Sequence, residues 1–303
     1  MTSILRPAQP GTLEVRRLLR QEMQQTLHSL TGPHPLADAA VHRVRKHLKQ
    51  GRAYLRLLRK ALDTQTYAAE KATLRAASRL LGGVREARVY LDTLDRLSAS
   101  RAAQGTSLDL HPIRSALHED YCEVRRRVLA DDSTIAAVEA TLHAVRARAR
   151  EWPLRPRRWG ALGAGVKRTY RQGRKALARA QEEPSAEHFH AWRKQVKCLG
   201  YQLQVFQPLR DGQLMVCVEQ ADILAQHLGE EHDLARLAHR LQEAPDSFPA
   251  DATLQALTFL IASRRSYVQE QAIALGQRLY ADKPATFANR LHTCWRTWRR
   301  QNV

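Results

Sequence analysis

The chain has 303 residues, with 49 Lys and Arg against 30 Asp and Glu and a formal charge of +19. That length supports one large core or two modest ones, so neither disulfides nor a metal is required for folding. Only 6% of the residues are aromatic and β-branched runs are few, which predicts an all-α protein, because residues such as Ala, Leu and Arg lose little side-chain freedom in a helix.

In chain order, residues 1–11 carry two prolines and a glycine and read as a disordered lead, with Thr12 placed to cap a first helix that runs to the stop 31-TGPHP-35. Helices follow over about 36–63 and from Thr66 to Gly82-Gly83, where the pair marks a kink or break before 84–97. After a polar loop at 99–109, helices are expected near 111–130 and 133–150. The stretch 151-EWPLRPRRWGALGA-164 concentrates Pro and Gly and reads as a junction. It separates a first half, 12–150, from a second, 165–303, with helices near 165–181, 185–207, 212–229, 231–243, 252–279 and 285–300. No stretch alternates apolar and polar residues long enough for a sheet.

The two halves share a pattern. His42, Arg45, Lys46 and Lys49 recur as His190, Arg193, Lys194 and Lys197 at one offset of 148 residues, and 81-LGGVREA-87 recurs as 228-LGEEHDL-234. Two local matches at nearly one offset indicate an internal duplication. On a helix of 3.6 residues per turn, His42, Arg45, Lys46, Lys49, Arg52 and Arg56 fall within an arc of about 120°. Val44, Leu48, Leu55 and Leu58 lie opposite. In the second copy His190, Arg193, Lys194, Lys197 and Tyr201 face one way, and Trp192, Val196, Leu199, Leu203 and Phe206 the other.

Like charges at i,i+3 and i,i+4 destabilise a helix by a few tenths of a kcal/mol per pair, and no Asp or Glu interrupts either stripe. A face serving solubility alone mixes signs. These stripes suit a repeating anion such as a phosphate chain. Arg16 and Arg20 on the first helix, and Lys167, Arg168, Arg171 and Arg174 at the start of the second half, could extend the surface or be ordinary solvated faces. Arg75, Arg79, Arg85 and Arg88 are weaker candidates of the same kind.

The patterns H-x-x-R-x-x-x-K-x-x-R at 42–52 and H-x-x-R-x-x-x-K-x-x-x-Y at 190–201, followed by the LGGVRE and LGEEHD segments, resemble the conserved histidine α-helical domain family, CHAD. The stretches 165-GVKRTYRQGRKAL-177 and 275–298 extend the resemblance over nearly the whole chain. The resemblance implies two four-helix bundles related by pseudo-twofold symmetry, with basic residues around a central cavity that binds inorganic polyphosphate without catalysis. It carries to His42, Arg45, Lys49, Arg52, His190, Arg193 and Lys197. Gly200, Gln50 and His232 stand where the family shows basic residues, which implies a weaker second half. It also implies residence on polyphosphate granules, while the cytoplasm is expected from the cysteine usage and the absence of a visible signal peptide or membrane-spanning run.

Two other readings compete. Nonspecific nucleic-acid binding shares the charge, but no platform of stacking aromatics or nucleic-acid motif is present. His232-Asp233 is an HD pair of the kind used by metal phosphohydrolases, with His188, His190 and His227 as further candidate ligands. Its place in the duplicated LG element favours pairing with neighbouring arginines. No metal site or cofactor is expected: there is no phosphate-binding glycine loop, and Cys122, Cys198, Cys217 and Cys294 are scattered, which suggests reduced thiols. No signal peptide or membrane-spanning run is visible. His42 and His190 are expected to strengthen anion binding as pH falls through about 6.5, the ordinary imidazole value.

Overall fold

The computed structural model describes residues 6, 9–31, 36–99, 108–129, 132–155, 159–243, 248 and 252–302. Most of the expected N-terminal lead, much of the 31–35 stop and the 99–109 loop, and residues 156–158 of the expected junction lie outside the described residues. Among the described residues the chain is all-α, with no strand. The helices are α1 (Gly11–Leu30), α2 (Asp38–Leu57), α3 (Thr64–Leu80), α4 (Gly82–Ser98), α5 (His111–Leu129), α6 (Asp132–Glu151), α7 (Trp159–Glu182), α8 (Ala186–Val205), α9 (Gly212–Glu243), α10 (Ala252–Leu279) and α11 (Pro284–Asn302). No helix of the described residues is long and apolar enough to cross a membrane.

Several boundaries move for local reasons. Thr12 does not cap α1: the helix starts one residue earlier behind Pro10, and Thr12 is fully buried in its first turn with its hydroxyl unpartnered. Side-chain caps occur instead at Asp63, which accepts from Thr66 N at 2.8 Å, and at Ser185, which accepts from His188 N at 3.2 Å. The expected helix over 36–63 ends at Leu57 and tightens into a 3-10 turn over Leu58–Lys60. α7 begins at Trp159, inside the stretch read as a junction.

The expected helices at 212–229 and 231–243 are one 32-residue helix. An interior glycine costs roughly 1 kcal/mol, and burial of Leu228, Glu231 and Leu234 on either side of Gly229 holds the helix through it. The matching site in the first half has two glycines in sequence. There the chain breaks, with Leu81 as a turn between α3 and α4.

Packing follows the apolar faces. Val44, Leu48 and Leu55 on α2 with Leu58 just after it, and Trp192, Val196, Leu199 and Leu203 on α8 with Phe206 just after it, are all at most 1% exposed. In the first half α1 packs on α2 and α6, and α3 packs on α6 and α2. In the second, α7 packs on α8 and α11, α8 on α9, and α9 on α10. One core runs through both sets and joins them where α2 meets α8 and α7. A second, smaller core is built by α4 and α5 against the far part of α9 and the near part of α10, with Leu91, Leu94, Leu234 and Leu237 at its centre. α2 and α8 therefore touch through one core and α4 and α9 through the other. The space between these two contacts is the site described below.

One contact allows no side chain. A Cβ on Gly165 of α7 would stand 2.6 Å from the Leu57 carbonyl oxygen and 3.0 Å from its Cα, which are backbone atoms. Gly165→Ala is therefore expected to push α7 off the end of α2 and destabilise the fold by about 1–3 kcal/mol; denaturant unfolding, with circular dichroism as the readout, measures the loss.

Candidate functional site: a basic cavity between four helices

The cavity has a volume of about 330 Å³ and takes its lining from α2, α4, α8 and α9. His42, Arg45, Lys46 and Lys49 enter from α2, and Arg193, Lys197 and Tyr201 from α8. The two motif helices thus present their charged faces to one space while their apolar faces enter the core. From α4 come Arg85, Glu86, Val89 and Tyr90, and from α9 His232, Asp233 and Arg236.

The LG element gains a geometric reason here. A Cβ on Gly82 would lie 3.7 Å from Arg45 Nη1, and one on Gly229 would lie 3.9 Å from Arg193 Nε. In each half the glycine stands beside the motif arginine. Arg45 Nη1 donates to the Ser78 carbonyl at 2.8 Å, which aims the guanidinium across the turn between α3 and α4. The buried Nε atoms of Arg45 and Arg193 have no hydrogen-bond partner.

Two carboxylates, Glu86 and Asp233, line the cavity, and each is engaged by an arginine. Glu86 accepts from Arg236 at 2.9 Å, and Arg236 also donates to the Tyr90 hydroxyl at 3.1 Å. Asp92 pairs with Arg85 at 3.3 Å, and Asp233 with Arg96 at 3.5 Å. Lys49 has no such neighbour to offset burial. Desolvation, then Arg193, Arg45, Lys197 and Arg85, push its ammonium down to about 7. Lys197 is lowered by burial and Arg193, with Asp222 opposing.

The histidines are neutral at pH 7 in the free protein. His190 stacks on His232 with ring centroids 4.1 Å apart. Burial, then Lys194 and Arg193, lower His190 to about 4, and burial, then Arg193 and His190, lower His232 to about 3. His42 is also lowered, by desolvation and then by Arg85, Lys49 and Lys46. The expectation of titration through 6.5 is therefore corrected: neighbouring cations and burial move the window down for every histidine at the site.

Other sequence candidates lie elsewhere. Arg52, Arg56 and Arg168 line a separate pocket beyond α8. Lys194 is exposed beside His190. Arg16 donates to the carbonyls of Arg150 at 2.9 Å and Trp152 at 3.4 Å, and Arg20 sits with it among Arg146 and Arg150 on the α1–α6 face. Arg174 donates to the Asp282 carbonyl at 3.3 Å, while Lys167 and Arg171 line neither pocket. Sequence reasoning missed Glu86, Tyr90 and Arg236. Arg236 was within reach, being one turn after His232 in the LG element.

The HD pair is occupied differently from a metal site, with His232 stacked on His190 and Asp233 on Arg96. Among the described residues no three His, Cys, Asp or Glu side chains gather as metal ligands. At Gly200, a Cβ would make only ordinary contact with Asp222 Oδ1 at 3.6 Å and Ala221 at 3.9 Å, so tight packing does not require the glycine.

The model of the CHAD domain family matches residues 17–242, which include every residue that lines the cavity. The chain belongs to the CHAD domain family. Its structure is similar to the crystal structure of the CHAD domain from the plant Ricinus communis, at 16% identity and a TM-score of 0.55, over 93% of this chain and 90% of that one. It is similar also to PptA from Streptomyces chartreusis, at 17% identity and a TM-score of 0.56, over 90% of this chain and 99% of that one. No curated protein matches the chain. The CHAD fold thus accounts for both motif copies and the LG elements in one arrangement.

Two outcomes follow from the charges in this CHAD cavity. The unfolded chain holds the Lys49 proton up to about 10.5 and the folded chain only to about 7, so the burden on stability grows as pH falls between these values and is complete below 7. Lys49→Met is expected to raise stability at pH 6 by on the order of 1 kcal/mol, read from thermal melts. A polyanion, were one to bind in this cavity, would raise the pKa of every base that it touches. Binding is then coupled to proton uptake, and affinity should fall as pH rises above about 7 through Lys49. It should rise again as pH falls below 6 toward the free values of His190 and His232, near 4 and 3. Calorimetry in buffers of different ionisation enthalpy measures the proton count.

Proposed function

We propose that the protein binds inorganic polyphosphate, without catalysis, in the cavity between α2, α4, α8 and α9. The observation that carries this reading is the convergence of Arg45 and Lys49 with Arg193 and Lys197, cations from two helices, on one space whose two lining carboxylates, Glu86 and Asp233, are each engaged by a further arginine. A linear anion with one charge per repeating unit meets cations from both sides at once. Each guanidinium adds directional donors to the phosphate oxygens. The volume of about 330 Å³ suits a single chain and leaves no room for a duplex, which sets this reading above nonspecific nucleic-acid binding. Family membership supports the same ligand class. Residence in the cytoplasm on polyphosphate granules belongs to this proposal.

Competition among polyphosphate, duplex DNA and RNA at one salt concentration tests the ligand: polyphosphate should displace the other two, and a preference for duplex DNA overturns the reading. Lys49→Glu and Lys197→Glu should each weaken long-chain binding by about tenfold or more and flatten the dependence of log affinity on log salt. Loss in one variant alone would assign the ligand to one half of the cavity.

A further inference from the structure

Cations are unevenly spread along this chain. Lys and Arg make up 49 of 303 residues, yet residues 211–263 contain only Arg236 and Arg240. Both are engaged, Arg236 with Glu86 at the cavity and Arg240 with Asp120 of α5. From Ala252 to Ser263, the first part of α10 carries no ionisable side chain at all. The same region holds most of the exposed apolar surface. Among the described residues the large exposed apolar side chains are Leu80, Met215, Val216, Ile223, Phe259 and Tyr267, and all but Leu80 lie on α9 or α10. Phe259 is 71% exposed and Tyr267 51%.

The inward side of α10 is set by Leu257, Ile261 and Val268, which are buried in the smaller core. On the other side Gln255, Phe259, Ala262, Ser263, Ser266 and Tyr267 are exposed and fall within an arc of about 140°. The nearest cations are drawn toward α9: Arg264 Nε donates to Glu230 at 2.6 Å, with its guanidinium over the Tyr267 ring at 5.1 Å, and Arg265 pairs with buried Glu231 at 2.9 Å. Phe259 and Tyr267 stand four residues before and four residues after Ser263, one turn to either side. That spacing is self-complementary. A second α10 running antiparallel about Ser263 sets each Phe259 against the other copy's Tyr267, with the small side chains of Ala262, Ser263 and Ser266 allowing close approach. The same register places Arg264 opposite Ala262 and Glu270 opposite Ala256, so no like charges meet.

We propose that the outer face of α10 is the contact between two copies of this chain, a symmetric dimer whose antiparallel α10 helices cross at Ser263. Charge selects the face. Each copy carries +19, and two such bodies approach at least cost where neither presents an uncompensated cation. A basic partner protein is a poorer match, because Glu270 is the one carboxylate between Ala252 and Glu270. α10 supplies none of the residues that line the cavity, so the contact leaves the cavity open and does not depend on the ligand assigned to it. An interface built on one helix pair lies at the small end for stable dimers, which sets the expected dissociation constant on the order of 10 µM.

The test is sedimentation velocity of the whole protein from about 1 to about 200 µM, comparing the parent with Phe259→Ser and Tyr267→Ser. Both positions are exposed, and melts matching the parent establish that the variants fold. The parent should pass from monomer to dimer over this range, and each variant should weaken the dimer about tenfold or more. Raising salt from about 0.05 to about 0.5 M should tighten the parent dimer, since it screens the repulsion between two cationic copies. The crossing point is read by mild oxidation of Ser263→Cys beside Gln213→Cys on α9, both in a Cys122→Ser background that removes the exposed native thiol. Ser263→Cys should form a disulfide-linked dimer much the faster. A parent that stays monomeric throughout leaves the face to a different occupant and overturns the proposal, as does a dimer that Phe259→Ser and Tyr267→Ser leave unchanged. A dimer that weakens as salt rises identifies carboxylates of one copy on cations of the other, and also overturns it. If Ser263→Cys links no faster than Gln213→Cys, the symmetric crossing at Ser263 is overturned.

Discussion

The structure depends on holding like charges against one another. Arg45, Lys49, Arg193 and Lys197 are brought together by α2 and α8, and nothing in their mutual repulsion favours that arrangement. What holds it is apolar burial on the opposite faces of the same helices, where Trp192, Val196 and Leu199 on α8 and Val44 and Leu48 on α2 are fully enclosed. At about 25 cal/mol per Å² of apolar surface, a few such side chains outweigh several repulsive contacts screened by water. The remaining repulsion shows in the Lys49 ammonium, pushed down to about 7 by burial and neighbouring cations. An anion bound in such a site would supply the counter-charge that the free protein lacks.

The carboxylates determine where that counter-charge is missing. Glu86 and Asp92 on α4, and Asp233 on α9, hold Arg236, Arg85 and Arg96 at the margin of the cavity. These pairs are partly exposed, so each stabilises the fold by little. Their larger effect is positional, since they orient the arginines and leave the motif cations of α2 and α8 without full counter-charge.

The duplication is closest at the level of motif, and departs in charge and in helix continuity. Gly82 and Gly229 both stand beside the motif arginine of their own half. Yet Arg85 of the first LG element corresponds to His232 of the second, which is neutral at pH 7 and stacks on His190. The first half therefore brings a fixed charge where the second brings a titratable one. The same asymmetry appears in the backbone, with a break at Leu81 and a continuous α9 through Gly229.

Much of this was legible in the sequence because its causes are local. Helix periodicity sorted the α2 and α8 residues into a charged and an apolar face, every apolar assignment on those two faces is buried, and the repeated spacing marked the two helices that share the cavity. The failures at Thr12 and Gly229 are also instructive: local preference named a cap and a break, and burial overrode both. What only the tertiary structure decided is which faces meet. The α2 stripe is continuous in sequence, but α8 divides it between two pockets, and Lys71 and Arg75 join Arg52 and Arg56 only because α3 folds alongside. The histidine titration also waited on the fold, because a pKa depends on desolvation and on charges from other helices. Periodicity gives a residue's direction from its own axis, and the identity of the neighbour in that direction is a property of the packed chain.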